Sequence, residues 1–349
     1  MLSSILKKAK VDCIVIRNFS ECRDPSFDYL LQSNIRNWAE GFLVLDKRGK
    51  FLLVSNLEFE EARQNAKGAR VSCFETSSDL EKFLRAHCAK KRVGLNLSLY
   101  PYARVHSFKR TARPKKIRDV SEALEKARAI KSSEEIGKLR KACSISQKVL
   151  EKVPELFRKG MTEKQLQQVL VSEIFKQGAK LSFSPIVAWG KNASVPHHRP
   201  NDSKIGKGFL LVDLGAQYKG YKADVSRTFF VGKPSQREKD LYEEVRNALE
   251  ESAKLCRPGI PASELWAISS KLLSQPLPHA LGHGIGLEEH DFPEGIGEKS
   301  KWKLEKNMVL ALEPALYLKG KFGIRLEDDV LVGKKSRCLT QAPKEIVRL

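Results

Sequence analysis

The stretch Leu210-Leu211-Val212-Asp213-Leu214-Gly215-Ala216-Gln217-Tyr218-Lys219-Gly220-Tyr221-Lys222-Ala223-Asp224-Val225-Ser226-Arg227-Thr228 decides the architecture of the second half of the chain. Two largely apolar runs flank a short polar, glycine-containing centre, which is the signature of a β-hairpin. If the chain reverses between Tyr218 and Lys219, Asp213 and Asp224 lie directly opposite each other across the pair. Two facing carboxylates repel, so the arrangement needs a proton or a cation, and a bound metal ion is the simplest remedy.

The pattern recurs downstream. Val309-Leu310-Ala311-Leu312-Glu313-Pro314 runs into a turn around Lys319-Gly320-Lys321 and returns as Gly323-Ile324-Arg325-Leu326-Glu327-Asp328. A reversal centred on Gly320 sets Glu313 opposite Glu327. One acid pair alone reads as surface charge. Here both pairs interrupt apolar strands, where an unpartnered carboxylate costs several kcal/mol.

Between the two hairpins stands His279-Ala280-Leu281-Gly282-His283-Gly284-Ile285-Gly286-Leu287-Glu288-Glu289-His290. Two histidines four residues apart fit a helical metal pair, but Gly282, Gly284 and Gly286 are poor helix interior and suggest closely packed strand or loop. Three of the chain's seven histidines fall in these twelve residues, and His197 and His198 stand together after Pro196. Four carboxylates with one imidazole form an oxygen-rich donor set, hard enough for Mn²⁺, Co²⁺ or Fe²⁺, compatible with Zn²⁺, and unlike a thiolate structural zinc site. Shared carboxylates can hold two ions about 3.5 to 4 Å apart and lower the pKa of a bridging water, which points to hydrolysis.

Outward from this centre, 349 residues are long for a single core and suggest two domains. The first ~125 residues alternate short apolar strands, Val11 to Ile16, Gly41 to Leu45, Lys50 to Val54 and Arg92 to Leu97, with polar helical stretches, an α/β pattern. Near Val120 the chain turns Lys/Glu/Ala-rich, which places a boundary between residues 122 and 123. Beyond it, capping boxes Ser132-x-x-Glu135, Thr162-x-x-Gln165 and Ser235-x-x-Glu238 announce three helices, so the second domain is α+β.

Hydrophobic residues make up 41% of the chain, enough for a sizeable core. Its longest apolar runs fall far short of the roughly 20 residues that span a bilayer. The N-terminus reaches lysines before any long apolar stretch and lacks a signal-peptide layout, so a cytoplasmic location is expected. Seven scattered cysteines, never spaced Cys-x-x-Cys, read as reduced bystanders. The formal charge is +21, with 26 Lys and Arg against 15 Asp and Glu in the first 130 residues. The densest basic stretch, Arg104 to Arg118, contains Phe108 as a stacking residue. No nucleic-acid-binding motif accompanies it, so a solvated basic face is expected rather than a nucleic-acid partner.

The residues resemble the pita-bread metallopeptidases, in the branch of Xaa-Pro aminopeptidases (aminopeptidase P) and Xaa-Pro dipeptidases (prolidases). The likeness spans nearly the whole chain. Its signposts are Phe183-Ser184-Pro185-Ile186-Val187, Val195-Pro196-His197-His198, Val212-Asp213-Leu214-Gly215, Ala223-Asp224-Val225-Ser226-Arg227-Thr228, Gly282-His283-Gly284-Ile285-Gly286-Leu287, Leu312-Glu313-Pro314 and Gly323-Ile324-Arg325-Leu326-Glu327-Asp328. The resemblance implies a curved antiparallel pita-bread sheet with helices and a pseudo-twofold in residues 123–349. Residues 1–122 would be a smaller creatinase-like α/β domain that caps the site and mediates a homodimer.

The resemblance further implies that Asp213 holds one of two divalent ions, most readily Mn²⁺ or Co²⁺, that Asp224 and Glu327 bridge both, and that His283 and Glu313 complete the shell of the second ion. Glu313 would also be the general base. His197 and His290 would bind the peptide carbonyl and steady the tetrahedral intermediate, His279 would line the same pocket, and Arg325 would orient the acids from behind. The substrates would be proline-containing peptides, whose awkward X-Pro bond justifies a dedicated pocket.

Some dipeptidases of this branch carry an arginine after the His-acid-aromatic-Pro stretch. Here His290-Asp291-Phe292-Pro293 is followed by Glu294, which would repel a dipeptide's free carboxylate, so the reading leans to an aminopeptidase with a dipeptidase as alternative. A methionine aminopeptidase usually lacks a comparable first domain, and a creatinase-like amidinohydrolase lacks the metal set. A catalytically silent binding protein using the basic surface is the rival of another class; such proteins typically lose ligands, and all five stand here.

Overall fold

The computed structural model of the chain describes residues 2–19, 23–31, 40–293 and 295–349. The chain divides into two compact units, Met1–Arg128 and Ala129–Leu349. In the first, strands β1 (Cys13–Phe19), β2 (Glu40–Asp46), β3 (Gly49–Ser55), β4 (Ala69–Phe74), β5 (Arg92–Leu95) and β6 (Lys116–Asp119) form one sheet in the order β4-β3-β2-β1-β5-β6. The β1–β2 and β2–β3 pairs are antiparallel and the outer three parallel. Cys13, Val15, Phe42 and Val44 enter a core on one face, while Ile14, Ile16, Leu43 and Leu45 are fully buried on the other. Both faces are thus covered, which is why these strands read as apolar runs rather than alternation. Helix α1 (Leu2–Ala9) precedes the sheet, α2 (Pro25–Leu31), α3 (Phe59–Asn65), α4 (Ser77–Cys88) and α5 (Tyr102–Ala112) connect its strands, and α6 (Ser121–Ala129) follows it. The edge strands β4 and β6 escape sequence reading because Arg70, Ser72, Lys116 and Arg118 break their apolar character.

The second unit opens with α7 (Ser133–Glu151), α8 (Val153–Leu156) and α9 (Glu163–Lys176), and carries α10 (Gln236–Lys254) and α11 (Ala262–Leu272) later in the chain. Ser132, Thr162 and Ser235 each form the reciprocal capping box, accepting from the backbone of Glu135, Gln165 and Glu238 while those side chains take the cap's own N–H. Its strands are β7 (Lys180–Leu181), β8 (Ile186–Trp189), β9 (Gly208–Leu214), β10 (Ala216–Tyr218), β11 (Tyr221–Lys222), β12 (Val225–Val231), β13 (Gly282–Gly284), β14 (Val309–Leu312), β15 (Ala315–Leu318), β16 (Phe322–Arg325), β17 (Asp328–Leu331) and β18 (Arg337–Cys338). They assemble as β12-β9-β8, β11-β10-β7, β13-β14-β17-β18 and the pair β15–β16.

The first hairpin is tighter than its sequence suggests. Lys219 and Gly220 both have positive φ, 46° and 93°, and form a two-residue turn of the kind that matches strand twist. The pivot therefore lies one residue later than expected. Asp213 pairs with Ser226, and Asp224 stands diagonal to Asp213 rather than opposite it. Because the slip moves the partner by two residues, both aspartates still share one face. Leu210, Val212, Leu214 and Val225 fill the core on the other face.

The second hairpin keeps the expected register, with Leu312 against Asp328 and Ala315 against Arg325. Between these ladders, Glu313 and Glu327 leave the hairpin's own pairing. The Glu313 N–H donates to Leu281 O at 2.8 Å and the Glu327 N–H to Ser226 O at 3.1 Å. The two strands thus hand their acid-bearing residues from one sheet to its neighbours. Among the described residues no helix is long and apolar enough to cross a membrane.

Candidate metal and active site

His283 sits on β13, in extended backbone as its flanking glycines suggest, with Gly282 paired to Leu312 and His283 to Ala311. A Cβ on Gly282 would lie 1.9 Å from Ala311 O, so the strand reaches β14 only because the residue is glycine. The His283 Nδ1–H donates to Gly284 O at 3.1 Å, which leaves the Nε2 lone pair facing the acids. That nitrogen lies 3.8 Å from Asp224 Oδ2 and 4.0 Å from Glu313 Oε1. Ligand atoms of Asp224, His283 and Glu327 all fall within 4.8 Å of one another, and all three residues are buried.

A hydrogen-bond frame holds the carboxylates in place. Arg325 donates from Nη2 to Asp213 Oδ2 at 2.6 Å and from Nε to Ser226 Oγ at 2.9 Å, and Ser226 Oγ donates to Glu327 Oε2 at 2.8 Å. One guanidinium therefore steers two acids. Its remaining nitrogen, Nη1, donates to Tyr317 Oη at 2.7 Å and Pro196 O at 3.2 Å. Thr228 Oγ1 stitches β12 to β16 by accepting from Arg325 N and donating to Arg325 O. On the far side, Asp329 Oδ2 accepts the Asp224 N–H at 3.1 Å and the Cys143 thiol at 3.2 Å. This satisfies the backbone of Asp224, which no strand partner takes.

Burial dominates the electrostatics. It pushes Asp224 and Glu327 well above the usual carboxylate range, and the surrounding acids reinforce it. Glu313 is raised to about 7, chiefly by burial, with Arg325 opposing and Asp213 adding to the shift. Burial, helped by His290, lowers His283 to about 4, so the imidazole is a neutral ligand at neutral pH. Asp213 Oδ1 and Asp224 Oδ1 are buried without any hydrogen-bond partner. Orphaned buried carboxylate oxygens beside an available imidazole nitrogen fit divalent cations, and the donor set suits a hard or borderline ion.

Four other histidines of the chain have distinct settings. The His290 ring lies 4.2 Å from that of His283, and its side chain is 67% exposed. His279 donates from Nδ1 to Ala280 O at 2.7 Å and packs beside Tyr317, 5.7 Å between ring centroids. His197 is exposed, and its field lowers both His279 and His290 behind the larger effect of burial. His198, its neighbour in sequence, is spent elsewhere: its Nε2 lies 2.8 Å from Glu163 Oε2. Glu163 is fully buried and also accepts from Trp189 N, Asn192 Nδ2 and Asn201 N, clamping the loop that carries His197.

Ser226, Tyr317, Asp329 and Glu163 thus carry weight that sequence reading did not assign. Ser226 lay inside the quoted motif, and Asp329 is a second acid in an apolar strand; Tyr317 and Glu163 give no signal until the sheets are assembled. Glu294, on which the choice of substrate length rested, lies outside the described residues.

The fold and this acid-and-histidine centre define a metal-dependent hydrolase. The chain matches metallopeptidase family M24 over residues 137–334 and the creatinase/prolidase N-terminal domain over residues 2–130, and it belongs to metallopeptidase family M24. It is a peptidase in which a creatinase-like first domain is followed along the chain by a pita-bread catalytic domain. It is 30% identical over 350 residues to the Xaa-Pro dipeptidase of Pyrococcus horikoshii, covering 98% of this chain and 96% of that one. Among solved structures, the prolidase from Pyrococcus horikoshii OT3 matches with a TM-score of 0.89 at 29% identity, covering 99% of this chain and 98% of the other. The X-Pro aminopeptidase from Thermotoga maritima MSB8 matches with a TM-score of 0.90 at 25% identity, covering 99% of this chain and all (100%) of the other.

Proposed function

We propose that the chain hydrolyses Xaa-Pro peptide bonds using two divalent ions, Mn²⁺ or Co²⁺, held by Asp213, Asp224, His283, Glu313 and Glu327. The observation that carries this reading is the buried grouping of Asp224, His283 and Glu327 with unpartnered carboxylate oxygens beside it. Divalent cations in such a shell supply Lewis acidity and lower the pKa of water. The chain's own residues do the rest. Arg325 and Ser226 hold Asp213 and Glu327 against mutual repulsion. Glu313, raised toward neutrality by burial, takes up a proton at its carboxylate. His197 and His290 donate hydrogen bonds to the peptide carbonyl oxygen, and His279 with Tyr317 walls the pocket.

Within this reading we favour release of an N-terminal residue preceding proline, on the acidic charge of Glu294, with dipeptide cleavage as the alternative. The likeness to both a dipeptidase and an aminopeptidase leaves the assay to decide. Protein loaded with Mn²⁺ or Co²⁺ is offered Ala-Pro and an Xaa-Pro-Xaa tripeptide. Faster turnover of the tripeptide supports the aminopeptidase, and faster turnover of Ala-Pro the dipeptidase. Failure to cut either would sink the enzyme assignment. A homodimer is the expected assembly, which light scattering measures directly.

A further inference from the structure

Between Lys82 and Arg118 the chain holds twelve Lys or Arg and no Asp or Glu. Sequence reading treats this run as a solvated face for want of a binding motif. Its placement in the first unit supplies what the sequence lacks. On α5, Tyr102, His106, Lys109 and Arg110 follow helical spacing and share one face, with Arg113 just beyond them as the C-cap at φ 50°, whereas Phe108 and Ala112 are buried on the other face. All five are exposed, Tyr102 by 80%. Lys109, Arg110, Arg113 and Lys115 form no ion pair among the described residues. Phe108, the stacking residue suggested by sequence, is buried, and the accessible ring is that of Tyr102.

The stripe does not end with the helix. Lys90 N donates to Arg113 O at 3.1 Å and Lys115 N to Lys91 O at 2.8 Å, which joins the foot of α5 to the start of β5. There a groove of about 1080 Å³ opens, lined by Lys7, Lys10, Lys47, Arg48, Lys91 and Arg92. Its two acids are already engaged, Asp12 by Arg92 at 2.7 Å and Asp46 by Arg48 at 2.7 Å. A helix of this length is about 16 Å long, so the helix stripe alone spans several nucleotides.

We propose that this track on the first unit binds single-stranded nucleic acid. The unpaired Lys109, Arg110, Arg113 and Lys115 match a phosphate backbone, and the exposed Tyr102 at one end offers a base a stacking platform. The track shares no residue with the peptidase centre.

Fluorescence anisotropy of a labelled 20-nucleotide oligouridylate, titrated with the metal-loaded full chain, tests the proposal. Binding is expected to weaken steeply with salt, with a log–log slope of roughly −3 to −4 for four to six neutralised phosphates. Lys109→Glu/Arg110→Glu is expected to weaken it at least tenfold while Ala-Pro and tripeptide hydrolysis are unchanged. Lys334→Glu/Lys335→Glu makes the same change in net charge on exposed residues of the other unit and is expected to cost less than threefold. Tyr102→Ala, a neutral change on an exposed side chain, should cost at least fivefold and serves if the charge reversals do not fold. Absence of saturable binding, equal loss in the Lys334/Lys335 variant, or equal affinity for polyglutamate would overturn the proposal.

Discussion

At the scale of single residues, the centre is a group of acids whose repulsion is managed by one arginine and one hydroxyl. Asp213 presents one oxygen to Arg325 and leaves the other unpartnered. Asp213→Asn keeps size and shape but removes the charge a cation needs. We expect activity to fall by about a thousandfold, some 4 kcal/mol of transition-state stabilisation, with melting temperature nearly unchanged. Near-normal turnover would show that the site lies elsewhere. Arg325 differs because it is a buried charge serving four partners, and Arg325→Met strands Asp213 and Tyr317 together. Breaking a buried pair costs about 3–5 kcal/mol, which urea denaturation of the two proteins would measure. The histidines show where residue-level reading stops. Residue type alone does not tell His197 from His198, and it is Glu163 beneath His198 that separates an exposed imidazole from one that pins a loop.

At the scale of elements, sequence reading succeeds where the physics is local. The three capping boxes are reciprocal hydrogen bonds over four residues, and each forms as spelled out by Ser132, Thr162 and Ser235. The second hairpin keeps its register because Gly320, at φ 73°, supplies the pivot. The first hairpin slips because Lys219 adopts a left-handed conformation that its side chain does not advertise. The glycine-rich strand β13 makes an elemental prediction. Gly282→Ala drives a methyl into the backbone of Ala311 and Leu312, neither of which can swing aside. Calorimetry and metal analysis should show a destabilisation of about 3 kcal/mol or more and reduced metal content. A variant that keeps full metal content and stability would mean β13 is not held this closely to β14.

At the scale of the whole molecule, the catalytic unit carries a buried acid cluster whose charge must be balanced for the fold to be at ease. A cation that binds only the folded state stabilises it by about 2.7 kcal/mol at a hundredfold excess over its Kd. For a unit of this size that corresponds to roughly 5–10 °C, taking about 2–4 °C per kcal/mol. Chelation is therefore expected to lower the melting temperature by that amount and Mn²⁺ or Co²⁺ to restore it. No shift on chelation or reloading would argue that the acids hold protons instead of metal.

The sequence by itself determined the parts whose causes are short-range: the helix starts, the hairpins, the shared face of Asp213 and Asp224, and the donor types of the centre. Even the misplaced turn left that face unchanged, because side chains alternate with a period of two. Only the tertiary structure decided which groups meet. Arg325 reaches Asp213 across 112 residues of chain, and Asp329 meets Asp224 across 105. Such contacts depend on where sheets cross and strands change partners, and nothing in the spacing of residues encodes that. The basic stripe follows the same rule. Its charges are countable in the sequence, but only packing turned Phe108 inward, left Tyr102 outward, and joined α5 to the groove.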